Sequence, residues 1–156
     1  MRFGIIMMND LPPAPDKILH EKVHLLSRKV VPENKEKGLS PYYHFRIHLL
    51  DGADIGHINF RIGETSHIIN TAGHIGYEIK PQFRGHSYSY YACLAILPFV
   101  KSMYSSIILT SDPDNIASIK IIEKLGSTYL NEVQVPRNDP AYGSGAQAKQ
   151  RYKLFL

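Results

Sequence analysis

The chain has 156 residues, which at roughly 100–200 residues per domain suits one domain with its own core and is too short for two catalytic ones. Hydrophobic residues make up 44% and charged residues 21%, an ordinary globular mix that excludes disorder, collagen-like repeats and coiled coil. The net charge of +4, with eight histidines besides, permits an anionic partner without identifying one.

Cys93 is the single cysteine, so no internal disulfide and no Cys-rich zinc site can form, which fits a reducing compartment. No apolar run approaches the roughly 20 residues that span a bilayer, and the opening run Ile5 to Met8 is too short for a signal-peptide core. A cytoplasmic protein without membrane contact is therefore expected.

Along the chain, DLPPAP and VPENKEKGLSP break regular structure within the first forty residues, and Ile18 to Val31 between them predicts a short helical turn followed by a strand. Tyr43, Phe45, Ile47 and Leu49 then alternate with His44, Arg46 and His48, the period of a half-buried strand. Asp51-Gly52 predicts a hairpin turn. The return strand runs from Ile55 to Ile62, with Ile58, Phe60 and Ile62 on one face and His57, Asn59 and Arg61 on the other. A third antiparallel strand is expected over about His74 to Lys80.

After Pro81 the period changes. Tyr88, Tyr91, Ala92, Ala95, Ile96 and Phe99 recur at three- and four-residue spacing, the stripe of an amphipathic helix, with Pro98 expected to kink it or strip a hydrogen bond near its end. Ser106 to Thr110 reads as a short buried strand. A second helix follows Asp112-Pro113-Asp114-Asn115, with Ile116, Ile119, Ile122 and Leu125 on one side, Lys120, Glu123 and Lys124 on the other, and Gly126 as its stop. Thr128 to Val135 and Gln150 to Leu156 predict a last strand pair around a Pro/Gly-rich loop, Pro136 to Gln147. The sum is a single α/β (α+β) domain over residues 1–156.

The stretch from Gly76 to Tyr88 carries the chemistry, because a strand there runs through a Gly-containing turn into a helix. The unsatisfied amides of a helix start and the positive end of its dipole suit a pyrophosphate. Gly85 lets backbone approach a ligand, Arg84 adds guanidinium donors, and Ser87 adds a hydroxyl. Gln82-Phe-Arg-Gly85-His-Ser87 resembles the Q/R-x-x-G-x-G/A signature of the GNAT superfamily of N-acetyltransferases, with Ser in the last small position. Asp112-Pro-Asp-Asn115-Ile-Ala-Ser118 and Ile122-Glu-Lys-Leu-Gly126 are similar to the N-x-x-S/A…EKLG region of the same superfamily. Two motifs in order, each on its predicted element, are more specific than either alone. The likeness spans about Tyr42 to Gly126; residues 1 to 40 lack the usual pair of N-terminal helices.

The resemblance implies a GNAT-like, mostly antiparallel twisted sheet with a splayed central strand pair and flanking helices, and acetyl-CoA as the acetyl donor bound where the strands part. The pyrophosphate would rest on the amides of Arg84, Gly85, His86, Ser87 and Tyr88. The pantetheine arm would pair with the backbone near Tyr77 to Ile79, with Asn115 and Ser118 beside it. An amine would attack the thioester directly in a ternary complex. Glu78 is the favoured base and Glu64 the second choice, a backbone N–H near Ile79 is the oxyanion donor, and Ser118 is the candidate proton donor because the family's tyrosine position holds Ile122; Tyr88 or another tyrosine is the alternative.

The acceptor would be a small-molecule amine or a peptide N-terminus, and a homodimer is compatible with all of this. A CoA-binding relative with little activity is the second reading. A basic nucleic-acid module rests only on the charge and the run Ser87-Tyr-Ser-Tyr-Tyr91, which helix packing explains better. No metal is expected, since His20/His24 is the only pair at helical spacing and no HExxH accompanies it. Cys93, among Ala92, Leu94 and Ala95, reads as a buried apolar residue.

Overall fold

The structure, a computed structural model, describes residues 11–142 and 147–156. The opening ten residues and part of the loop expected between Pro136 and Gln147 lie outside the described residues. Strands β1 (Lys17–Leu19), β2 (His24–Val31), β3 (Tyr42–His48), β4 (Asp54–Arg61) and β5 (Ile75–Ile79) form one antiparallel sheet in sequential order. Helix α1 (Tyr88–Lys101), strand β6 (Ser106–Ser111), helix α2 (Ile116–Lys124) and strands β7 (Thr128–Gln134) and β8 (Ala148–Phe155) complete the chain, with β8 between β6 and β7 in a second antiparallel sheet.

The alternating residues do what their period predicts. Tyr43, Phe45, Ile47, Ile58 and Phe60 are fully buried on one face of the large sheet, whereas His44, Arg46, His57, Asn59 and Arg61 are half-buried on the other. Helix α1 covers the apolar face with Ala92, Cys93, Ala95, Ile96 and Val100 and continues through Pro98 to Lys101. Phe99 packs edge-on against the rings of Tyr43, Phe45 and Phe60 at 5.0–6.3 Å.

The helical turn expected before β2 is overturned. Lys17, Ile18 and Leu19 pair with Leu26, Leu25 and His24 as a hairpin, closed by His20 N–H donating to the Val23 carbonyl at 3.1 Å. Three residues of strand are too few to show a period. His20 and His24 therefore sit in a turn and a strand, not one turn apart on a helix. A further element that no pattern announced is the single π-helical turn His67–Ala72 between β4 and β5. It is tied down by Asp139, which accepts from Thr71 Oγ1 at 2.7 Å and lies 2.9 Å from His67 Nδ1.

A backbone clasp ties the start of β5 to β6. His74 N–H donates to the Ile108 carbonyl at 2.8 Å, and the His74 ring accepts from Ile108 N–H through Nδ1 at 2.9 Å. Nε2 faces the Gly63 carbonyl at 3.1 Å, so the neutral ring satisfies one donor and one acceptor at once. Beyond this clasp β5 and β6 form no ladder, and each is the edge strand of its own sheet.

Burial lowers the pKa of His74 below its ordinary 6.5. The unfolded chain thus takes up a proton that the folded one resists: stability is full above about pH 6.5 and is lost as pH falls below it. Thermal melts taken between about pH 7 and pH 5 should show a falling midpoint, with a shallower slope in His74→Gln. Some slope persists there, since burial also depresses His57. Parallel slopes in the two proteins would contradict the clasp.

Candidate functional site: a groove at the strand split

The split opens a groove of about 920 Å³. Its inner wall is β5, through Tyr77, Glu78 and Ile79. One end is the turn Phe83, Arg84, Gly85 and the first turn of α1, and the far wall is Asn115 and α2, through Ala117, Ser118, Lys120, Ile121 and Lys124.

At the helix end, Gly85 has φ +91°, and a side chain there would meet nothing within 4 Å, so its backbone faces the groove. Ser87 is the only described non-glycine residue at positive φ, 62°. It precedes α1 without a side-chain capping bond, and no acidic residue occupies the first turn. The amides of that turn and the Ser87 hydroxyl are thus open to an anion. Arg84 is anchored by Nε donating to the Ile79 carbonyl at 2.8 Å, which leaves its terminal nitrogens near Glu78 Oε1, 3.9 Å away and largely exposed.

At the inner end, Asn115 caps α2 by accepting from Ser118 N–H at 3.2 Å. The Ser118 hydroxyl meets the Tyr77 hydroxyl at 3.0 Å. Burial pushes the Tyr77 pKa up to about 12, so this phenol stays protonated. Glu78, on the opposite face of β5, is 68% exposed and lies directly across from His57 of β4. Burial, with His44 next, lowers the His57 pKa, which keeps that imidazole neutral and able to take a proton.

Tyr77, Glu78, Ile79, Arg84, Gly85, Ser87, Tyr88, Asn115 and Ser118 all line the groove. His86 does not; it is exposed and rests 5.4 Å from the Tyr88 ring. Glu64 follows Gly63, at the clasped end of β5 and away from the groove. The motifs did not reveal Lys120 and Lys124, which line it; Lys124 Nζ sits 4.2 Å over the Tyr90 ring. Their spacing with Ala117 and Ile121 marks one stripe of α2, which would have found them. Among the described residues no cluster of three His, Cys, Asp or Glu side chains could hold a metal ion. Cys93 is buried, with its thiol pKa pushed up to about 12.

Residues 7–128 match the family described as Acetyltransferase (GNAT) domain, and the chain belongs to that family. No curated protein matches it by sequence. Among solved structures it is similar to an acetyltransferase (GNAT family) from Bacillus anthracis, with TM-score 0.56 and 22% identity, covering 72% of this chain and 65% of that one. A microcin self-immunity acetyltransferase, MccE, in complex with acetyl-CoA and AMP, gives TM-score 0.56 at 17% identity over 78% of this chain and 63% of the other. RimL, a ribosomal alpha-N-protein acetyltransferase in complex with coenzyme A, gives TM-score 0.63 at 13% identity over 90% and 98%. The chain spans about two thirds of the length of the first two. At these identities the likeness is one of fold.

Proposed function

We propose that the chain is an acetyl-CoA-dependent N-acetyltransferase acting on a primary amine. The observation that carries this is the coincidence, in one groove, of an unpaired strand edge and an open helix start. The pantetheine arm would add a strand to the free edge of β5. The pyrophosphate would accept from the amides after Gly85, with Lys120 and Lys124 available for the remaining phosphate charge. The coenzyme complexes of MccE and RimL support the choice of donor.

In the reaction the amine nitrogen forms a bond to the thioester carbonyl carbon, the C–S bond breaks, and the coenzyme leaves as a thiolate. A backbone N–H of β5 near Ile79 would stabilise the oxyanion. The Tyr77–Ser118 hydroxyl pair is placed to hydrogen-bond the departing thiolate, which takes its proton from water, in place of the hydroxyl that Ile122, itself buried, cannot supply. Glu78, with neutral His57 beside it on the paired strand β4, would accept the proton from the amine, directly or through water. A second reading, a coenzyme-binding relative with little turnover, is favoured by the exposure of Glu78.

Glu78→Gln separates the two. It should lower kcat by about 100-fold or more with coenzyme A affinity unchanged, followed by thiol release with a panel of amines and peptide N-termini. Equal kcat would remove Glu78 as base. Binding of coenzyme A by the unaltered protein, with no thiol release across the panel, would favour the second reading.

A further inference from the structure

The polar face of the large sheet, opposite α1 and α2, holds a guanidinium that its surroundings do not neutralise. Arg61, the last residue of β4, projects on the same face as His57 and Asn59. Its Nη1 donates to the carbonyls of Ala72 and Gly73, both at 3.3 Å. Its Nη2 reaches over β5, lying 2.6 Å from where a Cβ on Gly76 would stand; only glycine leaves room for it there. The Nε and Nη2 donors have no hydrogen-bond partner among the described residues, and neither is among the buried atoms sealed from solvent without a partner.

On this face Arg46 makes a two-pronged bond to Asp54 at 2.7 and 3.0 Å, and Lys80 Nζ lies 3.8 Å from the same carboxylate. Arg61 has no carboxylate partner among the described residues, although burial is enough to disfavour its charged form. A half-buried guanidinium with its Nε–Nη2 edge open is shaped for a two-pronged carboxylate.

We infer that Arg61 is the specificity residue for the acceptor, binding a carboxylate carried by the amine, so that the substrate is an amino acid or an amine of similar build. This rests on the acetyltransferase reading above. The donor would occupy the groove on the helix side of β5, because Tyr77 and Ser118 meet there, so the acceptor comes from the polar face. Gly76 and Glu78 share that face two residues apart, roughly 7 Å at about 3.3 Å per residue. An amine at Glu78 and a carboxylate at Arg61 can belong to one small molecule, with a hydrogen bond at each end.

The test uses coenzyme-loaded protein and matched product pairs, N-acetylalanine against N-acetylalaninamide, titrated while the Arg61 Nε–H resonance is observed. Kinetics with alanine against alaninamide run in parallel. The expected result is about 10- to 100-fold tighter binding and higher kcat/KM for the carboxylate of each pair, a shift of the Arg61 signal by the acid only, and loss of the preference in Arg61→Met with coenzyme A affinity kept. Arg61→Lys retains a charge and serves if the Met variant fails to fold, and the matched pairs on unaltered protein need no variant. Equal binding of acid and amide, or an acid preference that survives Arg61→Met, overturns the inference alone. Failure of coenzyme A itself to bind overturns the acetyltransferase reading and this inference with it.

Discussion

Gly85→Glu is expected to weaken coenzyme A binding by at least about 100-fold, beyond about 2.7 kcal/mol, while leaving the protein folded. Three effects add. The residue has φ +91°, where an L side chain costs about 1–3 kcal/mol, and a turn that relaxes to relieve it no longer presents its amides to the phosphates. Nothing in the protein lies within 4 Å of the new Cβ, so the fold admits the side chain at the rim of the groove that Gly85 lines. Its carboxylate would stand where the pyrophosphate should meet the open amides of α1, and like charges there repel. Gly85→Ala separates strain from charge and should lose only part of the affinity. Ser87→Gly keeps the backbone at φ 62° accessible but removes the hydroxyl, so it should lose a smaller part of the affinity, about 1 kcal/mol. Isothermal titration with coenzyme A reads all three, and unchanged affinity in Gly85→Glu would mean that the phosphates bind elsewhere.

Gly56→Val is expected to destabilise the fold by about 3 kcal/mol or more. A Cβ at Gly56 would lie 2.0 Å from the Glu78 carbonyl oxygen and 3.0 Å from Ile79 Cα, far inside contact distance and against backbone that no side-chain rotation can relieve. The position follows an irregularity at which Ile47 pairs with Gly56 while His48 pairs with Asp54, leaving Ile55 as an extra, fully buried residue. That bulge tightens the local twist and brings β4 close under the segment of β5 that forms the groove. Denaturant unfolding measures the loss, and what remains folded should bind coenzyme A more weakly because Glu78 and Ile79 have moved. A variant as stable as the parent would mean that β4 and β5 are not in this register.

The parts of the fold that the sequence announced are those with a long period. The alternations of β3 and β4 and the stripe of α1 each persist for seven residues or more, and each is in place within two residues of its expected bounds. β1 was misread because its three residues carry no period and its pairing is set by the turn at His20. The π-helical turn was invisible because it has neither a side-chain cap nor an acidic first turn.

The site divides in the same way. Gly85, Ser87 and Asn115 were legible because backbone geometry at a turn restricts residue type. Lys120 and Lys124 were placed on the solvent side of α2, which is correct for the helix alone; only the direction in which β6 delivers α2 makes that side a groove wall. Arg61 was legible as a polar-face residue, but its approach to Gly76 depends on the β4–β5 register, where Asn59 pairs with Gly76 and Phe60 with Ile75.

Thermal unfolding with and without coenzyme A reads the binding of the donor itself. At about 100 times its dissociation constant a ligand adds about 2.7 kcal/mol, which for a domain of this size raises Tm by roughly 5–10 °C at about 2–4 °C per kcal/mol. That rise is expected with both coenzyme A and acetyl-CoA, and its loss in Gly85→Glu. No rise at about 1 mM of either ligand, where even a Kd of about 10 μM would be saturated a hundredfold, would contradict it.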